Sequence, residues 1–352
     1  MVIGVCGLIE TGSSAVCDYL KEFDNICGID RMEFVIPYFP DGLDDLDYHL
    51  NRNGYKYMSS TVAIERFRNM MYSYFINTKK AKGKEAALTA ALDEFTEQIT
   101  QVEWSGYGKS DYVMMGPSAL RWTKFKRSVI YWALDRLFKS SVDKPDWHIM
   151  RFASKVEDFD IYARNFIHKV LEAYGADFNK IVMLDQPFAG NDPVSSFKYF
   201  DDPRAIVVDR DPRDQYMSAK KFLRRKGRMI PTESVEKFVE FYKNMRGNQP
   251  YKLDDSRVLR INFEDLIYEY EQTTGRIKNF INADLGSQSR HIFEPGMSIN
   301  NTQIFKRFPQ YAGEINYIEE QLAEYLYPFE KYGDVEIDGQ MFAGRSPLNK
   351  KQ

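Results

Sequence analysis

Val2-Ile3-Gly4-Val5-Cys6-Gly7-Leu8-Ile9-Glu10-Thr11-Gly12-Ser13-Ser14 opens with a short apolar run that stops at a glycine. A strand buried on both faces, as in a parallel sheet, reads this way. After Gly12 the apolar period changes, and Ala15, Val16, Tyr19, Leu20 and Phe23 fall on one face of a helix. Strand, glycine turn and helix thus follow in succession. A loop so placed suits phosphate: its backbone N–H groups converge, its glycines admit close approach, and the helix N-terminus carries partial positive charge. Ser13 and Ser14 add hydroxyl donors there. The plainer alternative is a glycine turn with a serine as helix N-cap. A Walker A loop needs Lys before its final Ser or Thr, and Ser13 stands in that place. The residue that would reach the outer phosphates of ATP is missing, which argues against an ATPase or a kinase.

The same alternation returns downstream. Residues 180–184, 205–208 and 258–261 read as strands, and 213–226 and 266–281 as helices. Repeated β and α units predict an α/β fold, a three-layer α/β/α arrangement around a central, mostly parallel sheet. Between about residues 44 and 178 the pattern turns helical, over 61–75, 85–101 and 159–174. No Pro/Gly/Ser-rich linker bounds this stretch, so it is expected to be a large helical insertion within a single domain spanning 1–340. Residues 341–352 read as a mobile tail.

Composition narrows the function classes. The chain has 352 residues, 43% hydrophobic and 28% charged, within the globular range. Its net charge of −3 lacks the basic excess of a nucleic-acid binder. Cys6, Cys17 and Cys27 match no zinc spacing and are odd in number. They are expected to be small buried hydrophobes in a reducing compartment, with no metal. The N-terminus has no basic segment leading into a long apolar one, so no signal peptide is expected. No run approaches the roughly 18–20 apolar residues that span a bilayer, and a cytoplasmic location is expected. Lys79, Lys80, Lys82 and Lys84 read as a solvated loop and helix start.

Arg204-Ala205-Ile206-Val207-Val208-Asp209-Arg210-Asp211-Pro212-Arg213-Asp214 is the second informative stretch. A buried strand runs into Arg210, and Asp211 and Pro212 suit the N-cap and first position of a helix. Arg210 is therefore placed at the C-terminal end of a parallel strand, where open α/β sheets bind ligands. Here the chain resembles the P-loop-type sulfotransferases that use 3′-phosphoadenosine 5′-phosphosulfate (PAPS). Their second nucleotide motif is strand, Arg-x-Pro-Arg/Lys-Asp, helix, with Ser eight residues after the first Arg. Arg210-Asp211-Pro212-Arg213-Asp214 and Ser218 keep that spacing. The resemblance implies that Arg210 and Ser218 bind the 3′-phosphate, and that Gly7, Thr11, Gly12, Ser13 and Ser14 of the phosphate loop also bind the donor. A planar guanidinium fork and a hydroxyl are apt donors for phosphate oxygens. The bland alternative for Arg210 is a salt bridge to Asp211 or Asp214. Leu259-Arg260-Ile261-Asn262-Phe263-Glu264-Asp265-Leu266 is similar to the family's late strand and helix start, with a packing role expected. Phe305-Lys306-Arg307-Phe308 lies where basic residues often close the nucleotide site, which implies binding roles for Lys306 and Arg307.

Two positions depart from the family. Glu10 stands where its loop usually carries Lys or Arg. Asp185-Gln186-Pro187 stands where some bacterial relatives show Lys-x-Pro. Arg31, Arg121 and Arg151 are candidate substitute cations. Transfer to a hydroxyl also needs a base. None of His49, His148, His168 and His291 follows the loop at the family's usual distance. Glu33, in Asp30-Arg31-Met32-Glu33-Phe34, resembles the Glu base of carbohydrate sulfotransferases, with pairing to Arg31 or a surface lysine as the alternative. The implied activity is sulfuryl transfer from PAPS, without a metal, to a hydroxyl of a carbohydrate, glycolipid or other small-molecule acceptor. The abundant aromatic residues point mildly to a sugar. The alternatives are a transferase with a different activated phosphate donor and a non-catalytic nucleotide-binding relative.

Overall fold

A computed structural model describes residues 1–30, 32–106, 111–138, 148–222, 229–247 and 255–333. Its strands are β1 (Val2–Gly7), β2 (Ile26–Ile29), β3 (Val102–Gly106), β4 (His148–Phe152), β5 (Ile181–Asp185), β6 (Pro203–Asp209) and β7 (Val258–Asn262). The helices used below are α1 (Ser13–Leu20), α2 (Lys56–Met70), α3 (Glu85–Ile99) and α4 (Phe159–Tyr174). They continue with α5 (Pro212–Phe222), α6 (Val235–Gly247), α7 (Tyr270–Ile281) and α8 (Ala312–Gln321). The chain divides into two compact units, Met1–Val35 with Gly175–Gln352, and Ile36–Tyr174.

The first unit carries a five-stranded sheet in the order β2-β5-β1-β6-β7, with every pairing parallel. Central strand β1 pairs with β6 from Val2↔Pro203 to Gly7↔Val208. From β1 the chain goes to β2 on one side, and from β6 to β7 on the other. The connections diverge between two neighbouring strands, and a crevice opens at such a switch point beyond the strands' C-terminal ends. Ile3 and Val5 of β1, Ile206 and Val208 of β6 and Ile261 of β7 pack with Val16 and Leu20 of α1 and Ile277 and Ile281 of α7. Burying each such side chain contributes roughly 1.5–3 kcal/mol. A separate buried aromatic cluster of Phe188, Phe197 and Phe200, with Phe34 edge-on to Phe200, sets the Phe188 ring against Gly4, on the other face of β1. The α/β architecture with a parallel sheet and flanking helices is the one the sequence predicts.

The second unit is mainly helical. Phe95 of α3 stacks on Phe166 of α4 at 4.8 Å, and Phe67 of α2 meets both rings edge-on. Antiparallel β3 and β4 add a two-stranded sheet.

Two helices depart clearly from the periodicity reading. Helix α2 starts at Lys56, and its continuation Met71–Ile76 widens into π-helical turns. The helix expected over 266–281 breaks at Glu269 (φ −123°, ψ 44°) into Asp265–Tyr268 and α7. Tertiary anchoring favours the break, since Tyr268 stacks on Tyr332 at 4.6 Å and its hydroxyl meets Thr302 Oγ1 at 2.6 Å. Helix α5 is described to Phe222. The remainder of its expected span, Arg31 and the tail 341–352 lie outside the described residues. Cys6 and Cys17 are buried thiols and Cys27 is half-buried. Burial pushes the Cys6 thiol up to about 12, which leaves it inert.

Candidate active site

The loop after β1 is tightly built. Thr11 is buried, and its Oγ1 donates to the Leu8 carbonyl at 3.0 Å. A Cβ on Gly7 would lie 2.1 Å from Thr11 Oγ1 and 2.7 Å from the Val208 carbonyl, so only glycine lets the loop turn there. Gly12 is the N-cap of α1 in a left-handed conformation (φ 84°), and a Cβ on it would meet the Phe263 ring at 2.6 Å. No side chain caps α1, so neither Ser13 nor Ser14 is a simple N-cap. Ser13 Oγ accepts from Gln186 Nε2 at 3.0 Å, and Gln186 Oε1 accepts the Gly7 N–H at 3.3 Å. One amide at the end of β5 therefore spans the loop. Ser14 is exposed in the first turn of the helix.

Glu10 has a left-handed backbone (φ 64°), which costs a non-glycine residue roughly 1–2 kcal/mol. Contacts from outside the loop hold it. Arg210 Nη1 donates to the Glu10 carbonyl at 3.0 Å, and the Gln215 side-chain amide donates to the neighbouring Ile9 carbonyl. The β6–α5 segment thus fastens two consecutive carbonyls of the loop. Arg210 Nη2 donates to the Asn301 carbonyl at 2.6 Å, and its guanidinium lies 5.3 Å from the centroid of the Phe263 ring. Phe263 therefore touches both halves of the site.

The ion pair to Asp211 is made by Arg213 and not by Arg210. Arg213 grips Asp211 at 2.7 Å and Glu319 at 2.8 Å, with the Phe305 and Phe329 rings beside it. Asp211 Oδ1 accepts the Arg213 N–H at 2.8 Å, which is the expected N-cap of α5 with Pro212 in its first position. Ser218 is fully buried in α5, and its Oγ has no hydrogen-bond partner among the described residues. Arg210 Nε is equally unpaired. A buried donor left unmade costs about 1–3 kcal/mol. Two in one motif fit an anionic ligand that would complete them.

Glu264 and Asp214 stand behind this motif. Glu264 Oε1 accepts the Asp211 N–H at 3.0 Å, and Asp214 Oδ1 accepts the Phe305 N–H at 3.2 Å. Burial, reinforced by the Asp211 charge, pushes Glu264 up to about 8 and Asp214 up to about 7. Glu264, for which the sequence suggested only packing, ties β7 to the cap of α5.

The remaining candidates are placed as follows. Arg307 Nη2 donates to the Asn300 carbonyl at 2.6 Å, so Arg210 and Arg307 hold successive carbonyls of one segment. Burial pushes the Arg307 guanidinium below its usual pKa. Lys306 is exposed. Glu33 is exposed beyond the C-terminal end of β2, while its neighbour Phe34 donates its N–H to the Asp185 carbonyl at 2.7 Å. Arg121 and Arg151 belong to the second unit, where Arg151 is paired with Glu65 and Glu103. Gly7, Thr11, Gly12, Ser13 and Arg210 come together, and Ser218 extends the same motif along α5. Gln186 and Phe263, quoted from the sequence only as parts of longer stretches, join them, as do Gln215 and Asn301. The sequence marked Gln186 only as part of the stretch that departs from the family's Lys-x-Pro element, and the sheet order is needed to set that stretch beside β1.

The model of the sulfotransferase family matches residues 3–286. The fold is similar to a sulfotransferase from Alicyclobacillus acidocaldarius, with 12% identity, 91% of this chain and 95% of that chain covered, and a TM-score of 0.33. It is also similar to sulfotransferase STF9 from Mycobacterium avium, with 11% identity, coverages of 97% and 78%, and a TM-score of 0.38. For the sulfotransferase domain of the curacin biosynthetic pathway the values are 12% identity, coverages of 93% and 98%, and a TM-score of 0.37. No curated protein matches the sequence significantly. Because the family match runs from β1 through the Arg210 motif and past β7, this chain belongs to the sulfotransferase family of sulfuryl-transferring enzymes.

Proposed function

We propose that the protein transfers the sulfuryl group of PAPS to a hydroxyl of a carbohydrate or glycolipid acceptor. The observation that carries this reading is the joining of the two motifs, with Arg210 at the end of β6 bonded to the Glu10 carbonyl of the loop after β1. The 5′ side of the donor lies on the loop, with the N–H groups around Gly12 and the Ser13 and Ser14 hydroxyls as donors. The 3′-phosphate takes the unpaired Arg210 Nε and Ser218 Oγ, with Lys306 and Arg307 adding positive charge. Glu33 accepts the proton of the acceptor hydroxyl as its oxygen attacks sulfur. The bond from sulfur to the bridging phosphate oxygen breaks, and adenosine 3′,5′-bisphosphate leaves as the sulfate ester forms. Residues 36–174 are a helical insertion of the same domain, supported by a family match that runs continuously through them. Three free cysteines favour a reducing, cytoplasmic setting.

The test is calorimetric titration with adenosine 3′,5′-bisphosphate beside ATP, repeated with Arg210→Ala. Micromolar binding that needs Arg210, with ATP much weaker, is expected. Absence of binding would overturn the donor assignment. A second reading, a changed donor, is favoured by Glu10 in the loop and by the Gln186 amide engaging Gly7 and Ser13. It predicts that another activated phosphate donor binds more tightly, and that Glu10→Lys does not improve the binding of that donor.

A further inference from the structure

The helical unit carries a feature that the transfer reaction does not use. Helix Pro117–Phe125 continues through π-helical turns, Lys126–Tyr131, into Trp132–Phe138. Thr123 and Tyr131 are buried. Trp122, Phe125, Val129, Ile130, Leu134 and Leu137 are all exposed, Trp122 at 57% and Leu137 at 75%. Their spacing of three, four, one, four and three residues keeps them on one face of a helix. A water-soluble helix normally turns such a face inward, so this one is inverted. Trp122 and Phe125 stack at 5.7 Å, and Trp132, also 59% exposed, carries Arg136 5.5 Å from its ring centroid.

The charges flanking this face are one-sided. Residues 117–138 contain Arg121, Lys124, Lys126, Arg127 and Arg136 against the single acid Asp135. An exposed apolar face with tryptophans, bordered by Lys and Arg, is the composition of a helix that lies in a bilayer interface. We propose that this helix docks the protein onto an anionic membrane surface, lying in the plane of the headgroups. Spanning is not involved, as no helix among the described residues is long and apolar enough to cross a membrane. Charge complementarity decides against a second copy of the chain as occupant. A two-fold contact through this face would bring the two basic borders together, whereas anionic lipids neutralise both. The proposal is independent of the donor assignment, because no residue of the nucleotide site takes part.

Flotation of the full-length protein with vesicles tests it, comparing phosphatidylcholine alone with phosphatidylcholine containing a minority of phosphatidylglycerol. Binding to the anionic vesicles is expected to exceed that to neutral ones by about tenfold or more and to weaken with added salt. It should come with a blue shift of tryptophan emission. The double variant Trp122→Glu/Leu137→Glu should lose binding to both. Lys124→Glu/Lys126→Glu should lose the anionic preference, with unchanged melting temperatures showing that both variants fold. Equal binding to neutral and anionic vesicles, or binding unaffected by either variant, would overturn the proposal. So would a dimer in light scattering that the first variant converts to monomer without any vesicle binding, since the face would then be a self-association surface.

Discussion

Replacing Glu10 with Gln removes a charge from the loop and leaves its shape, because Gln meets the same backbone penalty at φ 64°. The Glu10 carboxylate makes no hydrogen bond or ion pair among the described residues, and the residue is half-buried. Nothing in the loop therefore neutralises it when an anion binds. At about 4 Å, repulsion between a carboxylate and one phosphate charge is about 4 kcal/mol at an effective dielectric near 20, and about 1 kcal/mol in bulk water. These bounds correspond to roughly 5-fold and 10³-fold in the dissociation constant. Partial exposure sets the expectation toward the lower bound, about 10-fold tighter binding of adenosine 3′,5′-bisphosphate to Glu10→Gln. Isothermal titration at low and raised salt reads it directly, and the gain should shrink as salt screens the charge. A constant within about twofold of the parent would show that the carboxylate stands clear of the ligand. Weaker binding would show that it helps to hold the ligand, and either result refutes the reasoning.

The other expectations can be checked on the same preparation. Arg210→Ala leaves the Glu10 and Asn301 carbonyls without this donor, at about 1–3 kcal/mol each, so both bisphosphate binding and melting temperature should fall. Glu33→Gln should lower turnover by roughly 10²–10⁴-fold while nucleotide affinity, read by calorimetry, stays unchanged. Asp214 and Glu264 have folded pKa values raised to about 7 and about 8, so the native state holds protons that the unfolded chain releases near pH 4. Their contribution to stability is complete below about pH 4 and declines as pH rises through 7 and 8. Thermal melts across that range should flatten in Asp214→Asn/Glu264→Gln. Glu22 is buried and accepts the Ile292 and Phe293 N–H groups at 2.8 and 2.9 Å. Glu22→Ala should destabilise the fold by about 1–3 kcal/mol for each amide left unpaired, measured by denaturant unfolding.

The sequence by itself determined the elements that depend on local pattern. The apolar runs at 2–6, 181–184 and 205–208 admit little but buried strands, and Asp211-Pro212 starts a helix by its own capping chemistry. The spacing from Arg210 to Ser218 likewise carries the resemblance to the family's second nucleotide motif. Tertiary structure decided which distant residues meet. Gln186 reaches Gly7 and Ser13 because β5 pairs with β1, and Phe263 covers Gly12 because β7 lies beside β6. It also decided which arginine takes Asp211, since Arg210 turns to the carbonyls of residues 10 and 301 and leaves the carboxylate to Arg213. The physical reason is the range of the forces. Strand period, turn and cap chemistry act between near neighbours in the chain, whereas strand order and buried pairing depend on packing that brings distant segments into contact.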